Sequence, residues 1–120
     1  MRPYERLDVW KKSIDFVVDL YEATEKFPRE EKFGLTSLLR RAAVSIAANI
    51  AEGAGRKTAK EVGYFLSNSQ GSASEVSTEL LISYRLRYLP EAAFHELSSK
   101  VDEIGRMLTG LATHVRRRTD

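Results

Sequence analysis

The sequence predicts an all-α protein, an antiparallel up-and-down four-helix bundle. Three observations carry that prediction. Apolar residues recur at steps of three and four through long segments, and few runs alternate with period two. Pro28, the Gly53/Gly55 pair and Pro90 punctuate the chain between those segments. The connections left between them are short, and short connections make consecutive helices antiparallel neighbours.

The first helix is expected over residues 8–26. Val9, Trp10, Ser13, Ile14, Phe16, Val17, Leu20, Tyr21 and Thr24 form a broad stripe at helical spacing, while Asp15, Asp19, Glu22 and Glu25 sit mostly off it. Pro28 disfavours helix at Phe27 and closes the segment. The second helix is expected over residues 32–53, with Leu35, Leu38, Leu39, Ala42, Ile46, Asn49, Ile50 and Gly53 on one face. Gly53 or Gly55 is expected to take the left-handed conformation common at helix C-termini.

The third helix is expected over residues 58–88. Thr58 and Glu61 have the spacing of a capping box. The inner stripe is Val62, Phe65, Ser69, Ser72, Ala73, Val76, Leu80, Ser83 and Tyr84, and its middle, "SNSQGSASE", holds no large apolar residue. The fourth helix is expected over residues 91–116, with Phe94, Leu97, Val101, Ile104, Leu108, Leu111 and Val115 inside and a frayed tail, "RRRTD".

The chain has 120 residues, the length of one domain, so a single bundle over residues 1–120 is expected. It has no cysteine, which removes disulfide scaffolds and thiolate metal sites and suits a reducing cytosol. The opening "MRPYERLDVWKK" has no apolar core of a signal peptide, and no apolar run is long enough to span a membrane. A cytoplasmic protein with no membrane partner is expected. The net charge of +2 permits nucleic-acid contact without arguing for it, because binding depends on where the charges cluster.

The stretch "RRAAVSIAANIAEGAGRKTAKE", residues 40–61, ends in glycines and basic residues that resemble a phosphate cradle. The Walker motif needs Gly-x-x-x-x-Gly-Lys-Ser/Thr after a strand, and the segment here is helical with the wrong spacing. The dinucleotide fingerprint lacks its third glycine. The stretch therefore reads as a corner between two helices. Its basic residues and the start of the third helix offer phosphate contact at most.

Arg41, Ser45, Asn49 and Glu52 form a polar strip bordering the apolar face of the second helix, and Ser72, Glu75 and Glu79 do the same on the third. Polar groups at the edge of a core need partners. An ion pair between Arg41 and Glu75 is expected, with Ser45 or Asn49 satisfying the remaining oxygens, as a network that fixes helix register.

No catalytic chemistry is indicated. The Glu-x-x-His pairs of bundle metal sites are absent, since Glu96 follows His95 and His114 has no carboxylate three residues before it. No Gly-x-Ser-x-Gly elbow occurs. No enzyme, metal, cofactor or small-molecule substrate is expected. Tyr64, Leu81, Ile82 and Leu86 lie off the core stripe of the third helix, as Val18 does on the first, and this apolar surplus points to contacts between subunits. Gly63, Ser67 and Gly71 would let helices approach closely.

The motifs Ser45-Ile46, Asn49-Ile50-Ala51-Glu52-Gly53 and Gly71-Ser72-x-x-Glu75, with "LDVWKKSIDFVVDLYEAT" and "FPREEKFGLTSLLRRAAVSIAANIAEGAGR", give the chain a family likeness. It resembles the 23S rRNA intervening-sequence proteins over nearly its whole length, and in the fourth helix only by type. The resemblance implies a small bacterial four-helix bundle that assembles as a ring-like homopentamer. The family takes its name from genes lying inside inserts of the large ribosomal RNA, which is a genomic location. It is also similar in fold to the accessory variability determinant of diversity-generating retroelements, a basic pentamer that works with nucleic acid. The family supplies no catalytic residues, and its typical positions fall on Arg41, Ser45, Asn49, Glu52 and Glu75.

The expected function is that of a non-enzymatic, oligomeric module that binds RNA or a ribonucleoprotein such as the ribosome. Its phosphate contacts would be Arg40, Arg56, Lys57, Lys60, Arg116, Arg117 and Arg118. The alternative is a protein-interaction scaffold that uses exposed apolar helix faces. Basic residues converging on one surface favour the first, and scattered charges favour the second.

Overall fold

The computed structural model describes residues 1–118, so Thr119 and Asp120 of the expected frayed tail lie outside the described residues. A short 3-10 turn at Pro3–Arg6 leads into α1 (Asp8–Thr24), and a second one at Arg29–Glu31 precedes α2 (Leu35–Ala54). Then follow α3 (Ala59–Arg85) and α4 (Glu91–Arg116), with no strand among the described residues. Each helix packs antiparallel against its neighbours in a ring, α4 closing against α1. The bundle measures 49 × 21 × 20 Å, its long axis set by α3 and α4.

The core holds one stripe from each helix. Phe16 and Leu20 of α1, Leu39, Ile46 and Ile50 of α2, Leu66, Val76 and Leu80 of α3, and Val101, Ile104 and Leu108 of α4 are all but sealed from water. Leu66 replaces Phe65 as the inner residue of that turn of α3, and Phe65 sits half-buried at the edge. Ile14, Tyr21 and Leu38, expected inside, are exposed, because each lies at the edge of its stripe rather than its centre. The small middle of α3 lets it approach α2 closely, with Ser69 and Ser72 facing Ile46 and Ser45. There Ser69 Oγ donates to the carbonyl of Ile46 (2.9 Å).

The helix ends differ from the sequence expectation, for local reasons. α1 stops at Thr24 rather than Lys26, and Phe27 turns into the core just before Pro28. α2 begins at Leu35 rather than residue 32, because Pro28 leads into a 3-10 turn instead of a helix. The Glu31 carboxylate then caps α2, accepting from the Leu35 N–H (3.0 Å) and from the Tyr88 hydroxyl (3.1 Å).

No described glycine has a positive φ, so neither Gly53 nor Gly55 takes the expected left-handed turn. Gly53 stays helical, and its missing side chain makes room for α3: a Cβ there would lie 2.9 Å from Phe65 Cβ. The left-handed residue is Arg87, at φ 68°. It ends α3 at Arg85, short of the expected Tyr88. The Arg87 N–H donates to Tyr84 O and the Tyr88 N–H to Ser83 O, both at 2.9 Å, the paired bonds of a Schellman cap. The capping box at the other end of α3 forms as expected, with the Glu61 N–H donating to Thr58 Oγ1 (3.2 Å) and the Thr58 hydroxyl to Glu61 Oε1 (3.0 Å).

Candidate functional site

The expected polar network divides into three parts. Its middle forms across the helices: Ser45 Oγ and Ser72 Oγ share a hydrogen bond of 2.8 Å, and Asn49 Nδ2 donates to Ser45 Oγ at 3.0 Å and to Ser45 O at 2.9 Å. Its end closes at the C-terminus of α2, where Arg56, just past the helix, pairs with Glu52 at 2.7 Å. The expected Arg41–Glu75 pair does not form. Both residues are exposed, and neither makes an ion pair among the described residues. They stand on the outer side of their helices, where water solvates each charge and an exposed pair would gain little.

Glu79, one turn beyond Glu75, behaves differently. Its Oε1 atom is buried without a hydrogen-bond partner, as is Ser83 Oγ one turn further on. Burial, and then the charge of Glu75, holds the Glu79 carboxyl above the usual carboxylate range.

Arg40, expected as a phosphate contact, has a structural task. Its Nε donates to Thr24 Oγ1 (2.9 Å), a terminal nitrogen donates to Tyr21 O (3.2 Å), and the guanidinium lies 4.4 Å from the Tyr21 ring centre. It thus satisfies carbonyl and hydroxyl groups at the C-terminus of α1. It also stands about 21 Å along α2 from Ala54, the last helical residue before the corner that carries Arg56, at 1.5 Å per residue.

The remaining basic positions gather at one end of the bundle. Antiparallel packing brings the α2–α3 corner, with Arg56, Lys57 and Lys60, beside the C-terminus of α4, with Arg116 and Arg117. Arg118 spans the two, its guanidinium donating to Lys57 O at 3.4 Å. The ammonium groups of Lys57 and Lys60 are exposed and carry no ion pair among the described residues.

Two tyrosines frame this corner. Arg56 walls two shallow grooves, one reaching Tyr4 and Gly55, the other reaching Lys60, Tyr64 and Phe65. Its guanidinium lies 4.7 Å from the Phe65 ring centre. Tyr64 meets Phe65 edge-to-face (5.1 Å, 79°) and is 63% exposed. Tyr4 packs on Trp10 with ring centres 4.9 Å apart. Sequence reading placed Tyr64 only among the surplus apolar residues. Its spacing of four from Lys60 was the available signal, since that puts both on one side of α3. Nothing in the sequence announced Tyr4, whose place depends on the turn at Pro3–Arg6.

The rest of the apolar surplus is exposed as well: Val18, Leu81, Ile82 and Leu86 are each 41–54% accessible. Among the described residues no three His, Cys, Asp or Glu side chains gather as a metal site, and no helix is long and apolar enough to cross a membrane.

No protein of curated function matches the chain. Among solved structures, a protein of unknown function from the S23 ribosomal protein family of Bacteroides thetaiotaomicron has the same fold. The TM-score is 0.77 at 22% sequence identity, over 87% of this chain and 97% of that one. The family described as 23S rRNA-intervening sequence protein matches residues 5–110, which takes in α1, α2, α3, most of α4 and the Arg56–Phe65 side of the corner, while Tyr4, Arg116, Arg117 and Arg118 lie outside the match. The chain belongs to the 23S rRNA-intervening sequence protein family.

Proposed function

We propose that this protein is a non-enzymatic helical-bundle module that binds RNA, or a ribonucleoprotein such as the ribosome, through the basic end of the bundle, and that it works as a ring-like homopentamer in the cytoplasm. The observation that carries the reading is the juxtaposition of Lys57 and Lys60 with Arg116, Arg117 and Arg118, which come from segments far apart in sequence. A bundle of near-neutral net charge concentrates cations there, and clustered cations bind phosphates by releasing counterions. Arg40 is left out of the contact set because its guanidinium is engaged at α1. Arg56 contributes with its charge partly countered by Glu52.

The contacts are to backbone phosphates, so binding should weaken steeply with salt and show little sequence preference. The test is RNA binding by the purified protein across a salt series, with mass in solution measured on the same samples. Replacing Lys57 and Lys60 by Glu should abolish binding at moderate salt and leave the mass unchanged. Unchanged binding in that variant overturns the assignment, and a monomeric mass overturns the assembly.

A second reading, a protein-interaction scaffold, is favoured by a different observation. Leu38 of α2, Ile82 of α3 and Leu86 just past its end leave apolar side chains in water. An oligomer that ignores RNA even at low salt would select this reading.

A further inference from the structure

We infer that Tyr64 is a stacking platform for an unpaired nucleobase, and that the ligand of the basic end is therefore single-stranded RNA rather than duplex. The inference rests on the RNA-binding reading and narrows it to one class of RNA. Three features of the corner carry it.

The first is the state of the ring. Tyr64 is 63% exposed although it lies in the first turns of a well-packed helix. It is nonetheless held in place, edge-to-face on Phe65. Phe65 is fixed in turn, with the Arg56 guanidinium over its ring and its Cβ close against the backbone of Gly53. The salt bridge to Glu52 anchors Arg56. An aromatic ring that is wet but already positioned loses little freedom when a flat group stacks on it.

The second is the neighbourhood. Lys60 lies one turn before Tyr64 and shares its groove, and Lys57 follows Arg56 at the corner. The acidic residue of the groove, Glu61, is tied back into the capping box by Thr58. A π face beside unpaired cations matches the two parts of a nucleotide, base and phosphate.

The third is steric. In a duplex the base faces are hidden by their own stacking, and only phosphates and groove edges are presented. Unpaired bases expose their faces, and aromatic stacking beside a basic groove is the usual means of holding them.

The test uses the full-length protein in fluorescence anisotropy titrations with a labelled oligouridylate and with a labelled RNA duplex, over a salt series, with mass in solution recorded throughout. The single strand is expected to bind more tightly than the duplex. Tyr64→Ala should weaken single-strand binding about tenfold, the order of one lost base–aromatic stack, with the salt slope and duplex binding unchanged. Tyr64→Phe should keep the parent affinity. Circular dichroism melts should show both variants folded, since the ring is exposed.

If both RNAs bind with the expected salt slope and Tyr64→Ala changes neither, the stacking role is wrong and phosphate binding stands. An equal loss on strand and duplex also overturns it. If Tyr64→Ala changes the mass rather than the affinity, Tyr64 is a contact between copies. If neither RNA binds at low salt, the RNA reading itself falls, and the inference with it.

Discussion

Ser69 on α3 donates its hydroxyl to the main-chain carbonyl of Ile46 on α2, at 2.9 Å and out of reach of water. The bond is possible only because both helices are lined with small residues at that level. The serine-rich middle of α3, with no large apolar side chain, is a place where two backbones come close enough for a side chain to bond a helix carbonyl. Ser45 and Ser72 repeat the pattern beside it. Ser69→Ala should cost about 1 kcal/mol, since the carbonyl keeps its place in the helix and only the added bond is lost. Ser69→Leu should cost more, by forcing α2 and α3 apart. Denaturant unfolding of both variants checks the order; equal losses would mean that the close approach is not tight.

Gly53 and Gly71 should respond oppositely to alanine. At Gly53 the new Cβ would meet Phe65 Cβ at 2.9 Å, so the variant should lose about 1–3 kcal/mol. At Gly71 the Cβ meets nothing within 4 Å, and the better helix propensity of alanine should add about 0.5–1 kcal/mol. Thermal melts of the two variants decide it. A Gly71→Ala variant that melts lower than the parent would place that position against another copy of the chain.

Arg87 holds a backbone conformation that suits glycine, at φ 68°. Arg87→Gly should raise stability by about 1 kcal/mol by relieving the left-handed strain within an intact cap. A lower melting temperature would show that the arginine side chain contributes something the cap geometry does not reveal.

Glu79 should give the protein a recognisable pH dependence. Its carboxyl is raised in the folded state, first by burial and then by the charge of Glu75. The folded chain therefore holds this proton more tightly than the unfolded one. Stability is highest in acid with respect to this group, falls as pH rises from about 4.3 through the folded value, and stays lower above it. Glu79→Gln should melt higher than the parent at neutral pH, and the difference should vanish below about pH 4. A difference that is constant with pH would remove the charge from the explanation.

Arg40 should behave as a structural residue. Arg40→Ala removes two hydrogen bonds at the end of α1 and should cost about 1–2 kcal/mol. RNA affinity, measured where the variant is fully folded, should stay at the parent value. A stable Arg40→Ala variant with weakened RNA binding would return this residue to the contact set.

The sequence by itself determined the fold class, the number of helices and most of the core, because burial on one side of a helix writes a period into the chain that Phe16, Leu20, Ile46, Val76, Leu80 and Ile104 follow. It also determined the cap at Thr58, whose partner is three residues away. The end of α3 was not legible, since its cap relies on an arginine in a conformation that sequence reading assigns to glycine. That Arg41 and Glu75 stay apart was not legible either. Sequence spacing puts both residues near the α2–α3 border, but whether two charges meet depends on side-chain direction and on the cost of leaving water. Tertiary structure alone decided that Arg40 would be engaged at α1 while Arg118 came beside Lys57 and Lys60, because these groups belong to separate segments of the chain and only antiparallel packing sets the distances between those segments.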